Sequence, residues 1–377
     1  MKIIVFAGYF YPHKGGYENY IYELHKHLHL KQLSVDVVTC NTNNSKREET
    51  IDGINIYRFD CWNILGGTYS IPILNRNFFY TWKKIKETNY NFVNTQTRFF
   101  LTSLMGLIFA KIKKIRLIHT EHGTKHSVLS NQMVSLISKI YDHTLGYLVI
   151  RCADYNFVVS QSAGEFSKHL GAKKFQVIHN GVDAHKFRRT TTDLKSRLCI
   201  KDEYKIVTFI GRMIEAKGVQ DLISVINEIG NHIKIKLLLV GDGKFKDALV
   251  NMAIENKNII FLGEKNQEEI VNILSITDVF VNPSYSEGLP TSVLEAGACS
   301  CAVVASDVGG TNEIIENEIN GFLVKPHDLI MLRQRINELL FKPQIAVSFG
   351  KQLNEKINTN FNWSSIRAKY IDVLESL

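Results

Sequence analysis

The sequence predicts an α/β protein of two domains, each built on a doubly wound parallel sheet. The chain has 377 residues, of which 45% are hydrophobic and 22% are charged. This length exceeds what a single core usually accommodates, so we expect two domains. Apolar segments of strand length alternate with segments of helical periodicity in both halves. Such alternation is typical of parallel α/β units.

The predicted elements repeat along the chain. Strands of the first half are expected at 2–7, 35–40, 92–95, 116–120, 155–159 and 176–179, and helices near 16–32, 100–113, 130–152 and 161–170. Strands of the second half are expected at 206–210, 235–240, 259–262, 279–282, 302–305 and 321–324. An Asn-Gly pair at 180–181 precedes a charged, Thr-rich stretch that looks like a linker. We therefore expect a first domain over 1–185 and a second over 186–360.

The cysteines and apolar segments indicate a cytoplasmic protein without a membrane span. The six cysteines form no CxxC pair, and the chain begins directly with a strand-like run, so we expect reduced thiols. The longest apolar zone, 134–159, cannot supply about 20 uninterrupted apolar residues. It is interrupted by Lys139, Asp142, His143, Arg151 and Asp154.

Positive charge is concentrated in the first half of the chain. The net charge is +8, and residues 1–185 contain 22 Lys/Arg against 13 Asp/Glu. A basic half could meet an anionic membrane face, a phosphorylated acceptor or nucleic acid, and a merely soluble surface is the alternative. No known nucleic-acid-binding motif is present, so we expect no nucleic acid partner. Two basic clusters, at 83–86 and 111–116, favour peripheral membrane association or an anionic acceptor.

Two glutamates in the segment 286–298 indicate a site for a phosphorylated, hydroxylated ligand. Glu287 precedes a predicted helix and Glu295 lies on it. Pro290 suits a first helical turn, so the helix is expected to begin near Leu289. Unpaired amides at a helix N-terminus attract anions, and carboxylates accept hydrogen bonds from hydroxyls. The segment thus predicts contacts with both phosphate and sugar.

A cationic pair follows the first strand of the second half. Arg212 and Lys217 stand one short loop apart, beside Gly211 and Gly218. Arginine can pair with two phosphate oxygens and lysine adds a mobile charge, so the two could clamp a diphosphate. A solvated pair of loop residues is the alternative. The sequence contains no Asp-x-Asp motif, so we predict no metal ion and no other cofactor, and protein cations and amides must neutralise the ligand.

Several other strand ends carry weaker motifs. A glycine pair ending at Gly16 opens the first helix, where amides could approach a phosphate, although taken alone a tight strand-to-helix turn is the simpler explanation. His122 follows the fourth strand and is either structural or a neutral imidazole that contacts a sugar hydroxyl. Gly241, Gly263 and Lys265 lie where a base and ribose could bind. We recognise no metal-ligand spacing among the histidines.

In this order the motifs resemble those of the retaining GT-B glycosyltransferases, which include bacterial mannosyl- and N-acetylglucosaminyltransferases. The resemblance covers nearly the whole chain: Gly15-Gly16-Tyr17-Glu18, Glu121-His122-Gly123, Asn180-Gly181-Val182-Asp183, Gly211-Arg212 with Lys217-Gly218, Gly241-Asp242-Gly243, Glu287 with Glu295, and Gly309-Gly310 with Glu313. Each motif is modestly specific, whereas the ordered set is highly specific. The chain departs from the family at Ser300 and Ala302, where relatives usually carry glycine and proline, which puts the local backbone geometry in question.

The resemblance implies a role for each matching residue. Arg212 and Lys217 would bind the diphosphate, Glu295 the ribose hydroxyls and Glu287 the donor sugar. His122 would contact that sugar from the other domain. The implied catalytic residues are His122, Arg212, Lys217 and Glu287. The implied donor-binding residues are Gly16, Arg212, Lys217, Gly241, Gly263, Lys265, Glu287, Gly288, Leu289, Pro290, Thr291 and Glu295.

The resemblance also implies the reaction and the two substrates. The first domain would bind the acceptor, the second the nucleotide-sugar donor, and a helix over 361–377 would cross back to the first domain. A hexosyl group would pass with retention from a nucleotide sugar, with a UDP-sugar favoured over GDP-mannose, to a saccharide or a lipid-linked acceptor at the inner membrane face. The alternatives are a GT-B epimerase or phosphorylase, and a non-catalytic protein that binds nucleotide sugars.

Overall fold

The computed structural model describes residues 1–377 except 14, 27, 29–31, 65–66, 68, 127–131 and 230–232. The described chain divides into two compact units. Unit 1 comprises Met1–His179 and Arg367–Leu377, and unit 2 comprises Asn180–Ile366. Residues 180–185, which we expected in the first domain, belong to unit 2.

Unit 1 contains a mixed sheet and a separate strand pair. Its described strands are β1 (Lys2–Phe6), β2 (Ser34–Cys40), β3 (Glu48–Ile51), β4 (Ile54–Phe59), β5 (Cys61–Ile64), β6 (Tyr69–Pro72), β7 (Phe92–Gln96), β8 (Arg116–Glu121), β9 (Tyr155–Val158) and β10 (Gln176–Val177). The main sheet has the order β10-β9-β8-β7-β1-β2-β4-β3, and β5 pairs only with β6. Neighbours in the main sheet are parallel except β3 and β4. The six predicted strands are present.

The helices of unit 1 cover this sheet. They are α1 (Gly16–His25), α2 (Arg76–Glu87), α3 (Leu101–Lys113), α4 (Gln132–Tyr141), α5 (Tyr147–Cys152) and α6 (Gln161–His169). Part of the core is formed by fully or nearly fully buried Ile4, Phe6, Val93 and Phe109. The helical segment expected near 130–152 is present from residue 132 onward, because α4, a π-helical turn at Asp142–Gly146 and α5 follow one another without a gap. Residues 130 and 131 lie outside the described residues.

Unit 2 repeats the architecture with a parallel sheet. Its strands are β11 (Lys205–Ile210), β12 (Ile235–Val240), β13 (Ile259–Gly263), β14 (Val279–Asn282), β15 (Ala302–Ser306) and β16 (Phe322–Val324). They follow the order β13-β12-β11-β14-β15-β16, with all neighbours parallel. The predicted α/β class, with parallel sheets in two domains, is thereby confirmed.

The helices of unit 2 complete the α/β alternation. They are α7 (Leu194–Arg197), α8 (Val219–Ile229), α9 (Lys246–Ala253), α10 (Gln267–Ile276), α11 (Thr291–Ala298), α12 (Thr311–Ile314), α13 (Leu329–Phe341), α14 (Pro343–Asn360) and α15 (Trp363–Ser376). Helix α15 begins in unit 2 and ends in unit 1. Within unit 1 its Tyr370 is fully buried, and its hydroxyl lies 3.2 Å from Nε2 of His25. None of the described helices combines the length and the apolarity needed to cross a membrane.

The strand order of each sheet indicates where a ligand should bind. In unit 2 the chain proceeds from β11 to β12 on one side, whereas β14 lies on the other side of β11. In unit 1, β1 likewise lies between β2 and β7. Such reversals create a crevice at the carboxyl ends of the strands, where open α/β sheets bind ligands.

The turn that contains Ser300 explains one departure from the family pattern. Ser300 adopts a φ of 56°, in the left-handed region that glycine adopts without steric cost. A glycine at this position would therefore be the less strained residue.

Candidate active site

The turn between β14 and α11 holds Glu287 in a network of donors. Its Oε1 accepts hydrogen bonds from Lys217 Nζ at 2.7 Å, Ser284 Oγ at 2.7 Å and Asn282 Nδ2 at 3.4 Å. The Glu287 side chain is 9% exposed. Three donors on one oxygen fix the orientation of the carboxylate.

Lys217 reaches Glu287 because two loops are packed together by backbone contacts. A short 3₁₀ turn, Glu215–Lys217, ends at Gly218, whose φ is 65°. A Cβ atom at Gly218 would lie 2.1 Å from the carbonyl oxygen of Pro283. The Tyr285 amide also donates to the Ala216 carbonyl at 2.8 Å. Only glycine fits this position, so the loops after β11 and β14 are tied at the switch point of the sheet.

Arg212 lies at the same edge but is exposed. It follows the carboxyl end of β11, and among the described residues it forms no ion pair. Lys217, by contrast, is already paired with Glu287. The guanidinium of Arg212 is therefore available to an anionic ligand, and the ammonium of Lys217 can share its remaining donors with one.

Helix α11 begins slightly later than expected. Pro290 precedes the helix with a ψ of 107°, and Thr291 is its first residue. The prediction that the helix begins near Leu289 is off by two positions. The N-terminus has no side-chain cap, so its first amides can donate to an anion. Gly288 is fixed by the Gly310 amide, which donates to its carbonyl at 2.9 Å.

Glu295 lies on α11 and differs from Glu287 in having no partner. Among the described residues its carboxyl group forms no hydrogen bond or ion pair. Burial raises its pKa to about 8, although part of the side chain still reaches solvent. A poorly hydrated carboxyl group without donors costs roughly 1–3 kcal/mol. A ligand that brings hydroxyl donors would satisfy it.

Glycines line the adjacent strand ends in unit 2. The Gly211 amide donates to Val240 O at 3.0 Å, and the Gly241 amide donates to Gly263 O at 2.8 Å. A Cβ atom at Gly263 would meet nothing within 4 Å. This leaves an open surface beside Gly263. Lys265 is directed along α10 instead, where its Nζ lies 3.0 Å from Glu269 Oε1.

In unit 1, His122 lies at the carboxyl end of β8. Its Nε2 is 2.9 Å from the amide oxygen of Gln96. Because that oxygen is an acceptor, Nε2 carries the hydrogen and Nδ1 remains an acceptor. Burial lowers the pKa of His122 to about 4, so the imidazole is neutral at pH 7. Its contact with a sugar hydroxyl stays a prediction.

Glu121 holds the backbone around His122. It accepts hydrogen bonds from the amides of His122 and Gly123 at 2.9 and 2.7 Å, and pairs with Arg98 Nη1 at 2.9 Å. The positive charge of Arg98 and these donors hold the pKa of the fully buried carboxyl well below its usual range, against the effect of burial. Glu121 is therefore a positioning residue.

Gly16 is the first residue of α1. Its N-cap, Gly15, provides no side-chain cap, and a Cβ atom at Gly16 would meet nothing within 4 Å. A side of Gly16 is thus unobstructed among the described residues, whereas the Glu18 carboxylate approaches Gly15 at the helix start. Gln96 and Arg98 also belong to the unit 1 site but occur in no recognisable motif. The only signal for them is their position at the carboxyl end of β7, where Gln96 is the last strand residue and Arg98 follows two positions later, next to the end of β8.

The structure thus assembles part of the predicted site directly. Lys217 and Glu287 are in contact. Arg212, Gly241 and Glu295 lie on loops or helices that follow the carboxyl ends of the same sheet, and Gly263 is the last residue of its strand β13. His122 and Gly16 occupy the corresponding edge of the sheet in unit 1.

Comparisons with known proteins identify the family. A family model described as "Glycosyl transferases group 1" matches residues 191–356, and one described as "Glycosyltransferase Family 4" matches residues 14–186. An uncharacterized glycosyltransferase of Methanocaldococcus jannaschii, MJ1069, is 30% identical over 390 residues, which cover 100% of this chain and 99% of that relative. The chain belongs to the group 1 glycosyltransferases.

Further similarities agree with this assignment. The UDP-Gal:alpha-D-GlcNAc-diphosphoundecaprenol alpha-1,3-galactosyltransferase of Escherichia coli is 27% identical to this glycosyltransferase over 314 residues, 78% of each chain. The solved structure of sucrose-phosphate synthase from Thermosynechococcus elongatus superposes with a TM-score of 0.85 at 23% identity, covering 100% of this chain and 98% of that one. The predicted GT-B fold is confirmed, and the family assignment supports the predicted transferase activity.

Proposed function

We propose that this protein is a retaining, metal-independent hexosyltransferase that uses a nucleotide-sugar donor. The main support for this proposal is the difference between the two glutamates of the β14–α11 segment. Glu287 is saturated with donors, including Lys217, whereas Glu295 has no partner in the described chain. A ligand with an anionic group at the helix start and a vicinal diol one helical turn or more away would match both features.

The two cations would supply the charge that the departing diphosphate needs. Arg212 and Lys217 contact the phosphate oxygens together with the amides that follow Gly288. Their electrostatic stabilisation acts in the transition state, when charge develops on the leaving group. Lys217 would also connect the diphosphate to Glu287, so that the carboxylate is oriented toward hydroxyls of the donor sugar.

The reaction would then proceed with retention. The acceptor hydroxyl oxygen bonds to the anomeric carbon on the face from which the diphosphate leaves. The bond between this carbon and the diphosphate oxygen breaks, and the acceptor proton passes to that departing oxygen. Positioning and charge stabilisation provide the catalysis. Neutral His122 would accept or donate a hydrogen bond at the donor sugar, and Gly16 would leave room beside the diphosphate.

A UDP-sugar is the favoured donor, ahead of GDP-mannose. The strand ends at Gly211, Gly241 and Gly263 offer backbone groups and an open surface to a base. Lys265 would lie at the edge of this surface. The Escherichia coli relative is named for the use of UDP-Gal, which supports the same preference here.

The acceptor is proposed to be a saccharide, preferably lipid-linked, bound by the first domain at the inner membrane face. Four apolar residues of α4 are largely exposed: Met133, Leu136, Ile137 and Ile140 are 55–70% accessible. The excess of Lys and Arg in residues 1–185 would add attraction to anionic lipids. The Escherichia coli relative is named for a diphosphoundecaprenol-linked acceptor. The exposed apolar residues and the positive charge support peripheral membrane association, and the name of the relative supports a lipid-linked acceptor.

A panel of UDP- and GDP-sugars tests this proposal. Each donor is incubated with a polyprenyl-diphosphate-linked saccharide, with a soluble saccharide, or without acceptor. We expect transfer from one UDP-sugar, an unchanged rate without magnesium, and the donor's anomeric configuration in the product by NMR. An inverted product would refute retention, and conversion of the donor without acceptor would indicate an epimerase. Tight binding without transfer would indicate a non-catalytic protein.

A further inference from the structure

Three histidines converge on the surface of unit 1, away from the donor-binding elements. His126 follows β8, His143 lies in the π-helical turn, and His169 ends α6. One ring nitrogen of each lies within 4.8 Å of the others. The ring centroids of His126 and His143 are 5.1 Å apart, and those of His143 and His169 are 5.6 Å apart. Their separation along the chain hides this convergence from inspection of the sequence.

A buried carboxylate orients one of these imidazoles. Nδ1 of His126 lies 2.7 Å from Oδ2 of fully buried Asp142. The nitrogen donates to the carboxylate, which leaves Nε2 as the unprotonated atom of a neutral ring. Histidines that bind metals are typically held in this way, because the second-shell carboxylate fixes the ring and raises its basicity.

The charges behind the cluster favour a cation. Arg98 pairs with both Glu121 and Asp142, at 2.9 and 2.8 Å, and all three side chains are at most 3% exposed. Glu121 lies beside both Arg98 and His119. Asp142, by contrast, is shared between Arg98 and His126. The Asp142 carboxylate therefore lies next to His126 in surroundings of low polarity, where its attraction for a cation is strong.

The local backbone and packing give the cluster a defined shape. Asp142 and His143 are consecutive residues of the π-helical turn, and such turns occur frequently at functional sites. The Phe166 ring lies 5.1 Å from the His126 ring and also stacks against His169 at 6.2 Å. One side of the cluster is thus apolar, whereas His143 and His169 are exposed to solvent.

We propose that His126, His143 and His169 form a binding site for a divalent first-row transition metal, with Zn²⁺ as the natural occupant. In a tetrahedral zinc site, Zn–N bonds of about 2.0–2.1 Å place the nitrogens about 3.3 Å apart. Small rotations of the exposed His143 and His169 would close the present separations to this value. Asp142 would position His126, and the fourth ligand would be water.

Metal binding would connect three segments that are separate in the chain. The ion would join the loop after β8 to the π-helical turn and to the end of α6. That loop begins with His122, directly after the last strand residue Glu121, so the ion would restrain the backbone next to His122. The site is a structural support for this loop and takes no part in the proposed transfer step.

Metal titration of the full-length, untagged, metal-stripped protein tests the proposal. Co²⁺ is added while visible absorption is recorded, and Zn²⁺ affinity is then measured by displacement of Co²⁺. The variants are His143→Gln and His169→Gln, with His185→Gln as the control because His185 is an exposed histidine of unit 2. We expect one bound Co²⁺ with tetrahedral d–d bands in the wild type and the control, and at least a ~10-fold loss of affinity in both cluster variants.

Two further readouts separate this site from others. At one fixed Zn²⁺ concentration, the thermal midpoint should rise less for His169→Gln than for the wild type and the control, because stabilisation of the folded state falls as the affinity for the ligand falls. Both cluster variants should fold, since both side chains are exposed. Equal affinities in all four proteins, no binding to the wild type, or a strong near-ultraviolet thiolate band would overturn the proposal.

Discussion

Replacing Glu295 by glutamine should make the protein more stable at alkaline pH. Burial raises the pKa of this carboxyl from an ordinary 4.5 to about 8. The folded state therefore binds a proton that the unfolded state has already released between these two pH values. Stability is highest below pH 4.5 and is lost as the pH rises through 8. Glutamine has nearly the same shape and no charge, so it removes this loss.

The magnitude follows from the linkage relation. For a pKa of about 8 against 4.5, the wild type loses about 2.5 kcal/mol between about pH 6 and pH 8.5 that the variant keeps. This is an upper value because solvent reaches part of the side chain. For a unit of this size it corresponds to about 5–10 °C in the thermal midpoint.

Thermal unfolding at a series of pH values measures the effect. The thermal midpoint of the wild type is subtracted from that of Glu295→Gln at each pH, so that the titration of all other groups cancels. This difference should grow steadily from pH 6 to pH 8.5. Glu255→Gln, at an exposed position of unit 2, serves as the control and should show no such trend. A difference that stays constant with pH would show that Glu295 is hydrated and refute the reasoning.

Three other predictions follow from the same geometry. Arg212→Ala and Lys217→Ala should each lower kcat about 10²–10³-fold, the usual cost of one transition-state donor, with unchanged circular dichroism; normal rates, matching those of the exposed control Arg188→Ala, would exclude a diphosphate clamp. Burial lowers the pKa of His122 from 6.5 to about 4, so the free energy of unfolding falls by at most about 3 kcal/mol as the pH drops through this range. His122→Gln should abolish that loss in thermal unfolding measured between pH 7 and pH 4. The same pH dependence in wild type and variant would contradict the prediction. Ser300→Gly should raise stability by about 0.5–1 kcal/mol by relieving the positive φ, whereas Ser300→Ala should not.

The regular parts of the fold could be predicted from the sequence because they follow from burial. Most residues of β11, β12, β14, β15 and β16 are buried and apolar, and those of β13 are half-buried. Each of these strands was expected within a few positions. Strand β3 was not expected, because its exposed and half-exposed side chains carry no apolar pattern. No sequence signal indicated the π-helical turn at Asp142–Gly146. Its Asp142 pairs with Arg98, a contact between residues far apart in sequence.

The candidate site divides in the same way. Arg212, Lys217, Glu287 and Glu295 could be singled out by motif and by position after a strand. That Glu287 is paired whereas Glu295 has no partner in the described chain could not be predicted from the sequence. The pairing of Lys217 with Glu287 requires the close approach of two loops at Gly218. The partners of His122 were hidden for a related reason. Gln96 reaches it only because β7 and β8 are neighbours in the sheet.

The division of α15 between the two units bears on how the halves can be produced separately. Tyr370 and Leu374 are buried, and Tyr370 meets His25 and Phe157 within unit 1. A fragment that ends at His179 would lack these side chains and expose an apolar groove. Supplying residues 367–377 as a fused or added peptide would restore the missing part of its core. Unit 1 is thus discontinuous in the gene product, and a simple cut between the halves would leave it incomplete.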